Sequence, residues 1–237
     1  MGVFVIKYFL SWNEGYANFD LEFDEETISL LNPPPEVIPD WAKLRYCQCP
    51  NCTLDANEVT YCPTAVSLIP VVESFRNVES DSEVEVEARV ADRKVALRTS
   101  ARRAISSVVG LLFAGSGCPR TTYFRPMVRY HIPVATEDET IMRAMSMFLL
   151  AQYFKYKRGE KPDMDLVGLR AIYDELQIVN MTMAERLRSI EGTAVPVNSV
   201  ILLDMYTKMI PEKIDASLKD LAYLFSSFLS PIPESQH

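Results

Sequence analysis

Apolar and charged residues alternate strictly in several segments of the first hundred residues. The alternation is clearest at residues 19–23 and 84–90, and it recurs more weakly at residues 3–10 and 95–99. Because successive side chains of a β-strand point to opposite faces of a sheet, this pattern predicts strands with one buried and one solvated face. Short turns separate the members of each pair, so two antiparallel hairpins are expected.

From residue 100 onward, apolar positions recur every three or four residues, the spacing of amphipathic helices. Thr136 precedes an acidic first turn, which is typical of a helix N-terminus. The helix after it is apolar on nearly every side, which indicates a central position among the helices. Pro211 is expected to interrupt a later helix. The predicted helices cover residues 101–114, 137–157, 165–190, 196–211 and 216–229.

The order of the elements predicts an α+β fold. Strands come first and helices second, whereas a doubly wound fold would alternate them. We expect an N-terminal antiparallel sheet of hairpins with a cysteine-bearing loop, followed by a C-terminal helical bundle. The boundary is placed between a sheet-rich part, residues 1–135, and a helical part, residues 136–237. The pattern leaves open whether these are two domains or one continuous domain.

The composition narrows the class of protein. The chain has 237 residues, a net charge of −8 and 48% hydrophobic residues, values compatible with a globular protein that has a full core. An acidic chain repels nucleic acid, so nucleic acid is not expected as a partner. The apolar runs are too short to span a membrane, and the N-terminus does not resemble a signal peptide. A cytoplasmic location without membrane attachment is therefore expected.

Charge is distributed unevenly along the chain. Residues 1–87 carry 16 acidic and 4 basic residues, whereas residues 88–131 carry 1 acidic and 9 basic residues. Guanidinium groups bind carboxylates and phosphates in a bidentate manner. Arg120, Arg125 and Arg129 therefore form a candidate site for a small anion. The alternative is that the basic segment pairs with the acidic first third of the chain.

Four of the five cysteines lie within 16 residues, in the pattern C-x-C-x2-C-x9-C. A C-x2-C turn can place two thiolates on one zinc ion, and a structural zinc site needs four ligands. Cys49 and Cys52 form such a turn, and Cys62 follows nine residues later. Cys118 lies in a glycine-flanked loop where the backbone can approach closely, and it is the predicted fourth ligand. The sequence thus predicts a structural four-cysteine zinc site and a non-catalytic scaffold or interaction role.

Several alternatives to this zinc site stay open. Cys47 could replace Cys49 as a ligand, and His131 could replace Cys118. An iron–sulfur cluster is a second candidate cofactor, although the spacing differs from that of ferredoxins. A metal-dependent enzyme or sensor that binds a small anion at the arginine loop is the alternative function. The cysteines could also be small buried apolar residues without a metal.

Five short segments resemble those of a known family. They are Cys49-Pro50-Asn51-Cys52, Cys62-Pro63-Thr64-Ala65-Val66-Ser67-Leu68, Ser116-Gly117-Cys118-Pro119, Phe124-Arg125-Pro126-Met127 and Met147-Phe148-Leu149-Leu150-Ala151-Gln152-Tyr153. The chain after about Trp41 resembles an uncharacterised bacterial family, a domain of unknown function. The resemblance implies a bacterial origin and a shared architecture, but no activity.

The sequence offers little for catalysis and some support for self-association. Nucleophile elbows and glycine-rich phosphate loops are absent, and His131 is the only non-terminal histidine. No catalytic residue is therefore predicted. The helical part is rich in methionine, which suits both irregular cores and contact surfaces. We expect its surplus apolar faces to be buried in a homodimer with two-fold symmetry.

Overall fold

A computed structural model describes residues 2–229, and it describes residues 212–220 by their backbone alone. Four strands form one antiparallel sheet in the order β2-β1-β3-β4. The strands are β1 (Val3–Trp12), β2 (Gly15–Asp24), β3 (Glu83–Val90) and β4 (Arg93–Ser100). The helices are α1 (Pro63–Ser74), α2 (Ala101–Gly115), α3 (Arg125–Arg129), α4 (Glu137–Lys157), α5 (Val167–Arg188), α6 (Ala194–Leu221) and α7 (Ser226–Leu229). The α+β class is confirmed.

The sheet buries one face and exposes the other, as the alternation predicts. Ile6, Tyr8 and Leu10 of β1 are buried, while their neighbours in the strand are more exposed. On the outer face, cross-strand ion pairs link opposite charges, such as Lys7 with Asp20 at 2.7 Å. The helices α1 and α2 lie in the same core cluster as the buried face. The charged face therefore needs no covering layer.

The main core contains residues from both parts of the chain. Met183 and Leu187 of α5, together with Val195 and Val200 of α6, belong to the same cluster as the buried face of the sheet. A second, smaller cluster joins α4, the first half of α5 and Ile210 of α6. The boundary near residue 135 stays a prediction.

Two expectations for the helices are wrong. Pro211 does not interrupt its helix, because α6 runs continuously from Ala194 to Leu221 and includes residues 216–221, the first part of the segment predicted as a separate helix. The helix α4 has the predicted bounds but is not central. Its capping box at Thr136 fixes its N-terminus. Its second half is largely exposed, with Leu150, Tyr153 and Phe154 each more than half exposed.

A buried polar group connects the sheet to the helices. His131 is 7% exposed, and its Nε2 lies 2.5 Å from the hydroxyl of Tyr8 on β1. The Tyr8 hydroxyl also lies 2.8 Å from Ser107 Oγ on α2. Burial, and secondarily the charge of Arg143, lowers the pKa of His131 to about 3, whereas burial raises the pKa of Tyr8. Both side chains are therefore neutral near neutral pH.

This histidine predicts a specific loss of stability in mild acid. The pKa of His131 is about 3 in the folded chain, below the value of about 6.5 expected when unfolded. The unfolded state therefore takes up the proton first, and the free energy of unfolding should fall as the pH drops below about 6.5. Between about pH 7 and pH 5 the expected loss is about 2 kcal/mol. Urea unfolding at each pH measures it.

Two variants separate His131 from other titrating groups. His131→Gln should flatten the dependence between about pH 7 and pH 5, because glutamine does not titrate. His237→Gln removes the other histidine, which lies outside the described residues, and should leave the dependence unchanged. An undiminished dependence in His131→Gln would contradict the assignment.

Candidate functional site

All five cysteines line one small cavity of about 20 Å³. The loop between β2 and α1 supplies Cys47, Cys49, Cys52 and Cys62, and the loop after α2 supplies Cys118. The helix α5 closes the cavity from the other side with Thr182 and Arg186, among others. The structure therefore brings together the four cysteines predicted as zinc ligands, although they come from distant positions in the sequence.

A turn and an anchoring side chain position Cys49 and Cys52. The backbone N–H of Cys52 donates to the carbonyl of Cys49 at 2.9 Å, and Pro50 presets the first central residue of this turn. The side chain of Asn51 donates to the backbone carbonyl of Glu175 on α5 at 2.9 Å and to its carboxylate at 2.8 Å. The turn is thus fixed to α5, which holds both cysteines at the cavity.

Cys62 is the N-cap residue of α1, and Pro63 occupies the first helical position. Proline fits there because that position needs no backbone donor. Burial raises the pKa of the Cys62 thiol, while a backbone amide at Ala65 and the charge of Arg186 act in the opposite direction. The amide and the guanidinium would therefore stabilise the thiolate form of Cys62, whereas its burial disfavours that form.

Cys118 follows a residue in the left-handed region. Gly117 has φ = 89°, a conformation that glycine adopts without strain. Ser116, one residue earlier, forms a hydrogen bond of 2.9 Å between its hydroxyl and that of Thr64 on α1. Arg120, two residues later, donates to the carbonyl of Asn51 at 2.7 Å. These two contacts hold the Cys118 loop against both other cysteine-bearing segments.

Burial disfavours the ionised form of two of the thiols. Burial, together with repulsion from the neighbouring cysteines, raises the pKa of Cys49 to about 12, and burial also raises the pKa of Cys62. All five cysteines are free, so none is in a disulfide. The cluster is therefore a set of free cysteines in which Cys49 and Cys62 are held in the neutral form.

The thiols are close, but they are not arranged as a metal site. Among the described histidine, cysteine, aspartate and glutamate residues, no group of three or more could hold a metal ion as placed. Cys47 lines the cavity, and its thiol donates to the carbonyl of Thr182 at 3.6 Å. His131 lines a different cavity, so it does not reach the cysteines as an alternative ligand.

Sequence reasoning missed Arg186, the main charged group at the cavity. Its side chain is 2% exposed. Its guanidinium donates to the backbone carbonyls of Trp41 at 2.5 Å and Lys43 at 2.7 Å, and also to that of Cys47. It forms no ion pair with a carboxylate in the described part of the chain. Only its position in the last turn of α5 was visible in the sequence, where a basic residue is ordinary.

The three arginines predicted to bind an anion do not converge. Arg120 contacts Asn51 and lies 3.3 Å from the carboxylate of Glu175. Arg125 donates to the hydroxyl of Ser29 at 3.3 Å, and Arg129 stacks on the ring of Phe4 at 4.6 Å. Only Arg120 borders the cysteine cavity. The structure thus gives no shared anion site for this set.

Part of the basic segment pairs with the acidic first third. Arg98 and Lys94 of β4 form ion pairs with Glu85 and Glu87 of β3, at 2.5 and 2.6 Å. These side chains are at least partly exposed, so each pair contributes little to stability. Their consequence is local neutralisation of the outer face of the sheet.

Within the described residues, no helix is long and apolar enough to cross a membrane.

Comparisons with known proteins add a family but no activity. Neither the curated proteins nor the solved structures contain a significant match. A family model matches residues 6–226, nearly the whole chain. The chain therefore belongs to DUF6901, a domain of unknown function.

Proposed function

We propose that this protein is a non-catalytic, zinc-binding protein of the cytoplasm with a scaffold or interaction role. Cys49, Cys52, Cys62 and Cys118 would hold one zinc ion. The observation that carries the proposal is the convergence of these four cysteines on one cavity. Thiolate sulfur is a preferred ligand of zinc, and four of them complete its tetrahedral coordination. Since no position stays open for a substrate, the site would be structural.

The surrounding charges fit an ion of this kind. Zinc bound by four thiolates carries a net double negative charge. Arg186 lines the cavity as a buried cation without a carboxylate partner among the described residues, and Arg120 lines it as well. Buried charges are costly unless they are compensated. The two guanidinium groups would therefore stabilise the thiolates that zinc requires.

The size of the cavity favours a single ion over a cluster. A volume of about 20 Å³ is close to what one water molecule needs, about 10–15 Å³. An iron–sulfur cluster, with several iron and sulfide atoms, would need a larger space. Zinc binding would still require the cysteines to rotate about χ1 and to lose their protons. Binding is therefore expected to release protons and to weaken in acid.

The proposal predicts about one zinc ion per chain. Elemental analysis of freshly purified, untagged protein measures this ratio. Cys118→Ser should reduce the zinc content strongly, because serine is a poor zinc ligand. Cys47→Ser is the matched control, since Cys47 lines the same cavity while its thiol contacts Thr182. Metal far below one ion per chain, or iron with sulfide, would contradict the assignment.

The proposed ion should also stabilise the fold. A zinc ion would cross-link residues 49–62 to residue 118, so its binding energy would add to the free energy of unfolding. At a zinc concentration about 1,000-fold above Kd the contribution is about 4 kcal/mol, which corresponds to a Tm shift of about 10 °C. A chelator should lower the Tm of the wild type and of Cys47→Ser by this amount. The Tm of Cys118→Ser should not respond to the chelator.

The exposed half of α4 supports self-association as the interaction role. Leu150, Tyr153, Phe154 and Tyr156 are each more than half exposed. Several exposed large apolar side chains on one helix are typical of contact surfaces. A second copy of the chain is the proposed partner, because two-fold dimers are the commonest oligomers.

The dimer proposal predicts a particle of twice the chain mass. Light scattering at micromolar concentration should report about twice 26.9 kDa for the wild type. Leu150→Glu with Phe154→Glu should shift the mass to that of one chain, because buried unpaired carboxylates oppose association. Tyr16→Glu, a change of an exposed ring on β2, is the control and should leave the mass unchanged. A wild-type particle of 26.9 kDa would contradict the proposal.

A further inference from the structure

A second and larger cavity, of about 160 Å³, lies between the two core clusters. Its walls come from α2, from the loop and short helix that follow, and from α4, α5 and α6. Most of the lining is apolar. It includes Leu111, Phe113, Phe124, Met127, Leu176 and Leu203. A cavity of about 150 Å³ with such walls accommodates benzene, so this one is large enough for one ring or about six carbon atoms.

One end of the cavity carries a cation without a partner. Arg143 of α4 lines it, is only partly exposed, and forms no ion pair with a carboxylate among the described residues. Its Nε is buried and has no hydrogen-bond partner. The carboxylate one turn earlier, Glu139, accepts the backbone N–H and hydroxyl of Thr136 with its Oε2, at 2.7 and 3.0 Å, and it acts on Arg143 by its charge without forming an ion pair. The guanidinium thus remains available to an anion.

The aromatic polar groups around Arg143 are neutral, whereas Glu139 contributes a negative charge nearby. Burial raises the pKa of Tyr173, which also lines the cavity, and lowers that of His131 to about 3. Since a phenol is the better donor and an imidazole the better acceptor, we assign the Tyr8 hydroxyl as donor to His131 Nε2. The Nδ1 of His131 then carries a hydrogen and is a donor. The wall around Arg143 therefore presents neutral donors, and Arg103 adds a second positive charge to the cavity lining.

A different unsatisfied group lies farther along the cavity. Asn180 is 1% exposed, and its Nδ2 donates to Thr207 Oγ1 at 2.9 Å. The Thr207 hydroxyl in turn donates to the carbonyl of Leu203, which fixes the orientation of the amide. The Oδ1 of Asn180 is buried without a partner. Asn180 follows Tyr173 by seven residues on α5, a rise of about 10 Å. Because buried acceptors are normally hydrogen-bonded, we expect a donor on a bound ligand to satisfy Asn180 Oδ1.

We propose that this cavity binds a small organic acid. Its carboxylate pairs with Arg143, its apolar body of about one ring lies between α2, α5 and α6, and a hydroxyl or N–H group at its far end donates to Asn180. Each of the three parts of the ligand is complementary to one feature of the cavity: the carboxylate to the cation, the body to the apolar lining and the distal donor to the unpaired acceptor. The site is separate from the cysteine cavity, and it does not depend on a metal ion.

Four probes test the parts of the ligand separately by calorimetry on the full chain. Phenylacetate has the head and the body, 2-phenylethanol has the body with a neutral head, acetate has the head alone, and 4-hydroxyphenylacetate adds the distal donor. Phenylacetate is expected to bind at least 10-fold more tightly than 2-phenylethanol or acetate. The 4-hydroxy compound should bind about 2- to 10-fold more tightly still, the value of one neutral hydrogen bond.

Variants place the probes in the cavity. Arg143→Met should weaken phenylacetate about 10- to 100-fold, the value of a charge-assisted hydrogen bond, and should leave 2-phenylethanol unchanged. Arg129→Met is the matched control, because Arg129 stacks on Phe4 outside the cavity. The affinity of this variant for phenylacetate should equal that of the wild type.

A second variant keeps the test valid if Arg143→Met does not fold. Gly110 lines the cavity from α2, and a Cβ there would meet only Leu203, at 4.0 Å. Gly110→Leu should therefore fit, fill the cavity and abolish binding of phenylacetate, while circular dichroism confirms that the helices are retained. Undetectable binding of phenylacetate to the wild type would overturn the proposal. Equal affinities for phenylacetate and 2-phenylethanol, or unchanged binding by Gly110→Leu, would also overturn it. Equal affinities for phenylacetate and 4-hydroxyphenylacetate would overturn the role of Asn180.

Discussion

A buried guanidinium holds the cysteine-bearing loop to the helical half of the chain. Arg186 at the end of α5 binds the carbonyls of Trp41, Lys43 and Cys47, and its Nε has no partner. Three charge-assisted hydrogen bonds compensate the cost of removing this charge from water. Loss of the side chain would remove a charged donor from these three carbonyls and would weaken the attachment of the loop to α5. The position of Cys47 relative to α5 depends on this contact, while the hydrogen bonds from Asn51 to Glu175 fix the turn of Cys49 and Cys52 to the same helix.

The elements of the fold were predictable where a local pattern determines them. The alternation in β3 and the capping box at Thr136 act within a few residues, so strand β3 and both ends of α4 were read correctly. The continuity of α6 was not predictable, because tertiary contacts offset the intrinsic cost of Pro211. Ile210 is buried beside it, and Arg170 donates to the carbonyl of Pro211 at 2.7 Å. The exposure of α4 was missed because the hydrophobicity of a helix does not distinguish one buried in the core from one with an exposed apolar face.

The two cavities differ in how far a sequence can reveal them. The cysteine cavity has a local signal, the turn from Cys49 to Cys52, and one distant member marked by Gly117. The charged residue of this cavity, Arg186, has no sequence signal, because it resembles any basic residue at the end of a helix. The second cavity is built from five segments, and its polar groups, Arg143 and Asn180, are ordinary residues of amphipathic helices. Only their unpartnered buried atoms, Nε of Arg143 and Oδ1 of Asn180, distinguish them, and that is a property of the folded chain.

The order of the strands has a consequence for synthesis of the chain. The first strand, β1, is central and pairs on one side with β2, which follows at once, and on the other side with β3. Some seventy residues separate β1 from β3, and they include the cysteine-bearing loop and α1. A ribosome exposes the first hairpin, with its apolar face and an open edge, well before β3 emerges. Such an edge can pair with other chains, so early chaperone contact or slow elongation would affect the yield of folded protein.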